Sequence, residues 1–228
     1  MQNSTIIIKK QLKDTLKNKT VLIQFILFPL MTLIMENAIT IDGMPELFFT
    51  KLFSVMYIGM APLTSVASII SEEKEKNTLR VLTMANVKPG QYLLGIGFYV
   101  WAICMIGAGI MATGVKKEDV PFYMLIMAAG FAISILVGAC IGICSRNQMT
   151  ATSIVMPVMM IFAFVPMLAM FNKNIEKVAR FVYTEQLKGF MDHMTFDGIK
   201  TESICILAVN IVLMVALFFV AFRKKGLE

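Results

Sequence analysis

A single histidine, His193, occurs among the 228 residues. Histidine-dependent phosphoryl transfer and HExxH metalloprotease chemistry both require more than one. The serines buried in apolar stretches, Ser134 among them, have no histidine or lysine in their own stretch to activate them as nucleophiles. No aspartate falls within such a stretch, which removes a membrane-embedded aspartyl pair. Cys104, Cys140, Cys144 and Cys205 lie in apolar surroundings without a CxxC pair, so neither a disulfide framework nor a zinc site is supported. Cys140 and Cys144 share a helix face, and their small size suits packing. There is no GxxxxGK[ST] phosphate loop. These residues predict no catalytic group and no metal or cofactor on this chain. If ATP drives it, another chain must bind the nucleotide. His193 reads as a surface residue of a loop.

The elements that would position any such groups are membrane spans. Apolar residues make up 57% of the chain and charged residues 16%, against about a quarter charged in a soluble domain. The apolar residues come in blocks of about 20, the length a helix needs to cross a bilayer core of about 30 Å. Spans are predicted near 20–41, 48–70, 91–114, 121–144, 151–171 and 203–222, leaving no room for a separate soluble domain. The expected fold is all-α: one transmembrane domain over 1–228 with six transmembrane helices. No small-residue cleavage motif follows the basic N-terminus, so the first span is expected to act as an uncleaved anchor. Six spans place both termini on one side. The segments on that side carry 13 of the 21 basic residues, the opposite loops 8, so the positive-inside rule puts both termini in the cytoplasm of a multi-pass cell-membrane protein. Within 1–19, Ile8, Leu12 and Leu16 form one stripe and Lys9, Lys13 and Lys17 the next, the pattern of an interfacial helix on anionic lipid. The basic residues flank apolar blocks, which argues against nucleic acid as a partner. Glu36 is the one acidic residue inside a predicted span. Lys51 starts the next span at similar depth and is expected to pair with it, a substrate contact being the alternative.

The most informative connector is Ser71–Gly95. Ser71 is expected to cap a helix with Glu72, Glu73 and Glu75 in its first turn. Leu79 and Leu82 add a short apolar edge, and Asn86, Pro89 and Gly90 end it. Such a helix can act as a lever for a soluble partner; a merely solvated connector is the alternative. The pattern S-E-E-K-E-x-x-T-L-x-x-L, then V-x-P and Y-L-L-G, resembles the signature loop of ABC type-2 transporter permeases. It is carried by Glu72, Glu73, Lys74, Glu75, Thr78, Leu79, Leu82, Val87, Pro89, Tyr92 and Leu93. Asn77, where the family commonly has glycine, Arg80, where it commonly has an acid, and Ala85-Asn86-Val87 depart from it. The resemblance implies that this loop is a coupling helix docked on an ATPase subunit through Glu72, Glu73, Glu75, Thr78, Leu79 and Leu82. It extends to residues 1–19 as an amphipathic connecting helix, to six spans (20–171 holding the first five), and to an outer re-entrant segment, 172–202, capping the exit. The last span and tail, 203–228, complete the chain.

Gly130, Ser134, Gly138 and Gly142 recur at i, i+4 on the fourth span, a ridge that lets another helix approach closely. Whether that helix belongs to this chain or a second one stays open. On the fifth span, Pro157 and Pro166 favour bends. Met149, Met156, Met159, Met160, Met167 and Met170 share an arc of about 100°. Methionine suits surfaces that take varied apolar partners. The resemblance implies that the second and fifth spans line the pathway between two half-transporters, which makes Met156, Met159, Met160 and Met167 candidates to line a translocation path, ordinary packing being the alternative. In 172–202, Ile175, Val178, Ala179 and Val182 share a helical face. The resulting expectation is a membrane-spanning exporter subunit. It would pair with an identical or related permease chain and be driven by separate ABC ATPases holding ATP and Mg, for a peptide, drug or lipid. The rival readings are a membrane-embedded substrate-binding component of a vitamin importer and a non-transporting immunity or scaffold protein.

Overall fold

The computed structural model describes residues 19–39, 43, 45–85, 87–194 and 201–225. The interfacial helix expected within 1–19 lies outside them, apart from Lys19. The described residues form helices: α1 (Lys19–Ala38), α2 (Phe48–Glu75), α3 (Thr78–Met84), α4 (Pro89–Met111), α5 (Val120–Cys144), α6 (Gln148–Ala169), α7 (Lys173–Ala179), α8 (Tyr183–His193) and α9 (Thr201–Lys225). Five of them (α2, α4, α5, α6 and α9) are long and apolar enough to cross a membrane, and α1 contributes a shorter apolar stretch, Leu22–Ala38. Successive long helices alternate in direction. One end of the bundle carries α3, the other α7 and α8.

α2 is the central helix. It packs against α5, α6, α1 and α4. The Gly130–Gly142 ridge of α5 meets α2 inside this chain. A Cβ at Gly138 would run into the Leu63 carbonyl, and one at Gly142 would meet Ile70. Gly59 of α2 lies equally close to the backbone of Phe162 and Ala163 on α6. In lipid, where apolar burial drives little, such close approach gains the dispersion energy that holds helices together.

Four prolines stand inside these helices: Pro29 in α1, Pro62 in α2, and Pro157 and Pro166 in α6. Each lacks the N–H that would satisfy the carbonyl four residues earlier. For three of them a hydroxyl from another helix supplies the donor. Tyr57 donates to Phe25 O at 3.3 Å, Ser134 to Ile58 O at 2.6 Å, and Thr184 to Phe162 O at 2.7 Å. Tyr57, Ser134 and Thr184 are all buried. The prolines thus create acceptors that the tertiary structure uses to fix helix register.

One expected boundary is wrong. Ser71 does not cap a new helix. α2 continues unbroken to Glu75, and the Ser71 hydroxyl donates back to Ser68 O at 3.0 Å. At about 1.5 Å per residue, 28 residues span roughly 42 Å and overreach a 30 Å core by some 12 Å. The acidic cluster therefore sits at a helix C-terminus, where the dipole opposes it, and side-chain partners must offset that. The chain breaks at Asn77, whose φ of 57° is left-handed. That conformation favours glycine and, after it, asparagine, which accounts for asparagine at this position.

Candidate functional site

The corner between α2 and α3 is built from the acidic cluster upward. The Tyr92 hydroxyl of α4 donates to Glu73 Oε2 at 2.6 Å, and Glu73 is only 5% exposed. Lys74 Nζ donates to the last-turn carbonyl of Ile143 on α5 at 2.9 Å. Glu75 Oε2 accepts from the Gln148 N–H at the start of α6 at 3.0 Å, and the Gln148 side chain donates to Ser68 Oγ at 2.8 Å. Glu72 pairs along its own helix with Lys76 at 2.5 Å. Consecutive residues of one helix end thus tie α2 to α4, α5 and α6. A force applied to α3 would reach three spans through these bonds.

The docking residues expected from the sequence divide. Leu79 is 2% exposed and belongs to the bundle core, and Leu82 packs against that core. Glu73 and Glu75 are engaged within the chain. Leu79 and Glu73 therefore present no surface to a partner, a correction to the expected docking set. Glu72 keeps an accessible carboxylate and Thr78 is half-buried. The exposed face of α3 is the opposite one, Val81 at 63% and Met84 at 77%, three residues apart. Sequence reasoning missed both because i, i+3 spacing gives 79/82 and 81/84 the same signature.

On α6, Met149, Met156 and Met160 are exposed, while Met159 and Met167 are half-buried. Met159 packs beside Leu63 and Ala67 of α2. Met167 lines a small, largely apolar pocket between α2, α6 and α8, with Lys51, Lys188 and Asp192 at its rim. The methionine arc is therefore two surfaces, one of them interior packing.

At the far end, α8 clamps α6. Besides Thr184 on Phe162 O, Lys188 Nζ donates to Pro166 O at 3.0 Å and pairs with Glu185 at 2.8 Å. Burial pushes the Glu185 carboxyl above its ordinary range, against the lowering effect of Lys188. Tyr183 shares a 2.8 Å hydrogen bond with Ser134, and Leu187 packs at Gly130. Ala179 of α7 is buried, and Val178, expected on the same face, is exposed. The expected Glu36–Lys51 pair does not form. Glu36 accepts from the Thr50 N–H and hydroxyl at 2.8 and 3.0 Å, and Lys51 lies 3.4 Å from Asp192. The Cys140 thiol donates to Met214 O at 3.4 Å, joining α5 to α9. Among the described residues no cluster of histidine, cysteine or carboxylate could hold a metal ion.

This arrangement can transmit force between a protruding helix and a bundle. It contains no assembled group for bond-making chemistry among the described residues. Compared with known proteins, the sequence matches the family model described as ABC-2 family transporter protein over residues 2–222. No curated protein matches it.

Proposed function

We propose, from the premise that this chain belongs to the ABC-2 transporter family, that it is the membrane subunit of an ATP-driven exporter moved through α3. Two permease chains, identical or related, would enclose the path. Two ABC ATPase subunits, holding ATP and Mg, would grip the α3 end, which then faces the cytoplasm with both termini. The observation that carries this reading is the α2–α3 corner. A 28-residue helix, about 42 Å long against a bilayer core of about 30 Å, is bonded at its tip to three other spans. Beyond the tip it presents two exposed apolar side chains, Val81 and Met84. Exposed apolar residues at the end of a rigid lever fit an apolar groove on a soluble partner. Met156 and Met160, the exposed members of the arc, remain the path-facing candidates. Their pliable surface suits an amphipathic peptide, a lipid or a hydrophobic drug.

The test is affinity purification in mild detergent with its partner chains co-expressed. Val81→Asp with Met84→Asp should abolish recovery of the ATPase, detected by mass spectrometry and by ATP hydrolysis. Both positions are exposed, so stability should change by no more than about 0.5 kcal/mol. Undiminished ATPase recovery from the folded double variant would refute the docking face.

A further inference from the structure

Two lysines line the pocket between α2, α6 and α8, and they are not equivalent. Lys188 donates to Pro166 O at 3.0 Å and to both carboxylate oxygens of Glu185 at 2.8 and 3.0 Å. An ammonium has three donors, so Lys188 is a satisfied strut between α8 and α6. Lys51 is held loosely. Its acidic partner among the described residues is Asp192 at 3.4 Å, longer than an ordinary hydrogen bond. The Lys51 side chain is 19% exposed and that of Asp192 51%. Asp192 can turn into solvent at little cost, whereas Lys51 stays over the pocket.

The backbone adds to this local charge. Lys51 stands in the first turn of α2, the positive end of the helix dipole. Glu36 is engaged by the Thr50 N–H and hydroxyl and not by Lys51. A half-buried ammonium with a loose, exposed counter-ion favours a second anion that can make shorter, charge-assisted hydrogen bonds.

Beside Lys51 the walls are apolar. Phe48, Leu52, Val55, Ala163 and Met167 line a cavity of about 60 Å³. One water needs about 10–15 Å³ of such space, so the cavity has room for roughly four waters, and apolar walls favour an apolar occupant over them. That room suits a leucine or isoleucine side chain and is too small for a long acyl chain.

We propose that this pocket binds a carboxylate carried next to a compact apolar group. The apolar group fills the cavity, and the carboxylate replaces Asp192 on Lys51. Two sources carry that chemistry: the C-terminal residue of a peptide ending in leucine or isoleucine, and a small branched-chain acid. Calling the ligand a substrate rests on the exporter reading; its binding needs neither an ATPase nor a second permease chain.

The experiment uses the full chain in nanodiscs of zwitterionic lipid. The probe is a short peptide ending in photo-leucine with a free carboxylate, cross-linked by light and mapped by mass spectrometry. Label is expected on the pocket residues of α2 and α6. The C-terminal amide of the same peptide should label roughly tenfold less, the effect of losing a hydrogen bond between charged groups. Lys51→Gln should erase the difference between acid and amide, and Lys51→Arg should keep it. Asp192→Asn, a change at an exposed residue, removes the competing carboxylate and should strengthen binding of the acid several-fold. Isocaproate that competes as well as the unlabelled peptide would identify the small acid as sufficient. Competition by the peptide alone would identify the peptide terminus. Dodecanoate should compete with neither. Label outside the pocket would overturn the site. Equal labelling by acid and amide, or binding indifferent to Asp192→Asn, would overturn the role of Lys51. A chain that binds the acid as expected, yet moves none of it across a membrane with its ATPase present, would count against the exporter reading and leave the pocket standing.

Discussion

Ser134→Ala tests whether hydroxyls on proline-freed carbonyls hold this bundle together. The Ser134 hydroxyl bonds Ile58 O at 2.6 Å and Tyr183 Oη at 2.8 Å. Ile58 and Tyr183 are buried, so water does not replace the lost partner. A buried polar group left unsatisfied costs about 1–3 kcal/mol, and bonds between membrane helices average nearer 0.6 kcal/mol. With two groups orphaned, the expected loss is about 2–4 kcal/mol. The informative partner substitution is Pro62→Ala, which returns an N–H to Ile58 O within α2. In the double variant only Tyr183 stays orphaned, so about half of the loss should be recovered. The two changes should then be non-additive by at least about 1 kcal/mol. Reversible SDS-induced unfolding, followed through Trp101, the sole tryptophan, reads all four chains of the cycle. Strict additivity, or a Ser134→Ala chain within about 0.5 kcal/mol of the parent, would refute the reasoning.

Three further outcomes are expected. Tyr92→Phe removes the 2.6 Å donor from buried Glu73 and should cost about 1.5–3 kcal/mol, as for a hydrogen bond to a charged group, read by thermal melting in detergent. Gly138→Ala puts a methyl into the Leu63 carbonyl and should destabilise by about 1–3 kcal/mol. Gly109→Ala meets open space and should be neutral or slightly stabilising; equal effects at the two sites would contradict the packing of α5 on α2. The raised Glu185 carboxyl means the folded chain holds that proton more tightly than the unfolded chain. Its contribution is therefore full below the ordinary carboxylate range near 4.3 and is lost as pH rises through the raised value. Glu185→Gln should flatten melting temperature against pH across that window, and an unchanged slope would speak against it.

Local interactions made much of this legible in the sequence. The apolar blocks and their bounding charges located the long helices to within a few residues at most ends, because the thickness of a bilayer imposes one length on every span. The signature loop pointed to the family from Glu72 to Leu93, since those residues lie within one short stretch of chain. The turn at Asn77 was not anticipated; Asn77 stood only as a departure from the family pattern, which its left-handed backbone explains. Ser71 misled because a serine before three glutamates is a helix-start signal. Here it lies inside α2, tied at its end to Tyr92, Ile143 and Gln148.

What only the tertiary structure decided is which way each face looks. In a soluble helix the apolar stripe marks the buried side. In a membrane both the core and the lipid are apolar, so Met159 and Met160 are indistinguishable by composition although Met159 packs beside Leu63 and Ala67 and Met160 is exposed. Polar pairing is likewise fixed by three-dimensional approach. Lys51 meets Asp192, which is 141 positions away, and not the nearer Glu36. The four prolines could be read from the sequence, but the hydroxyls that answer three of them lie 22 to 76 residues from the carbonyls they satisfy. Hydrophobicity sets the spans; close contact between helices, which no single stretch of chain encodes, sets the neighbours.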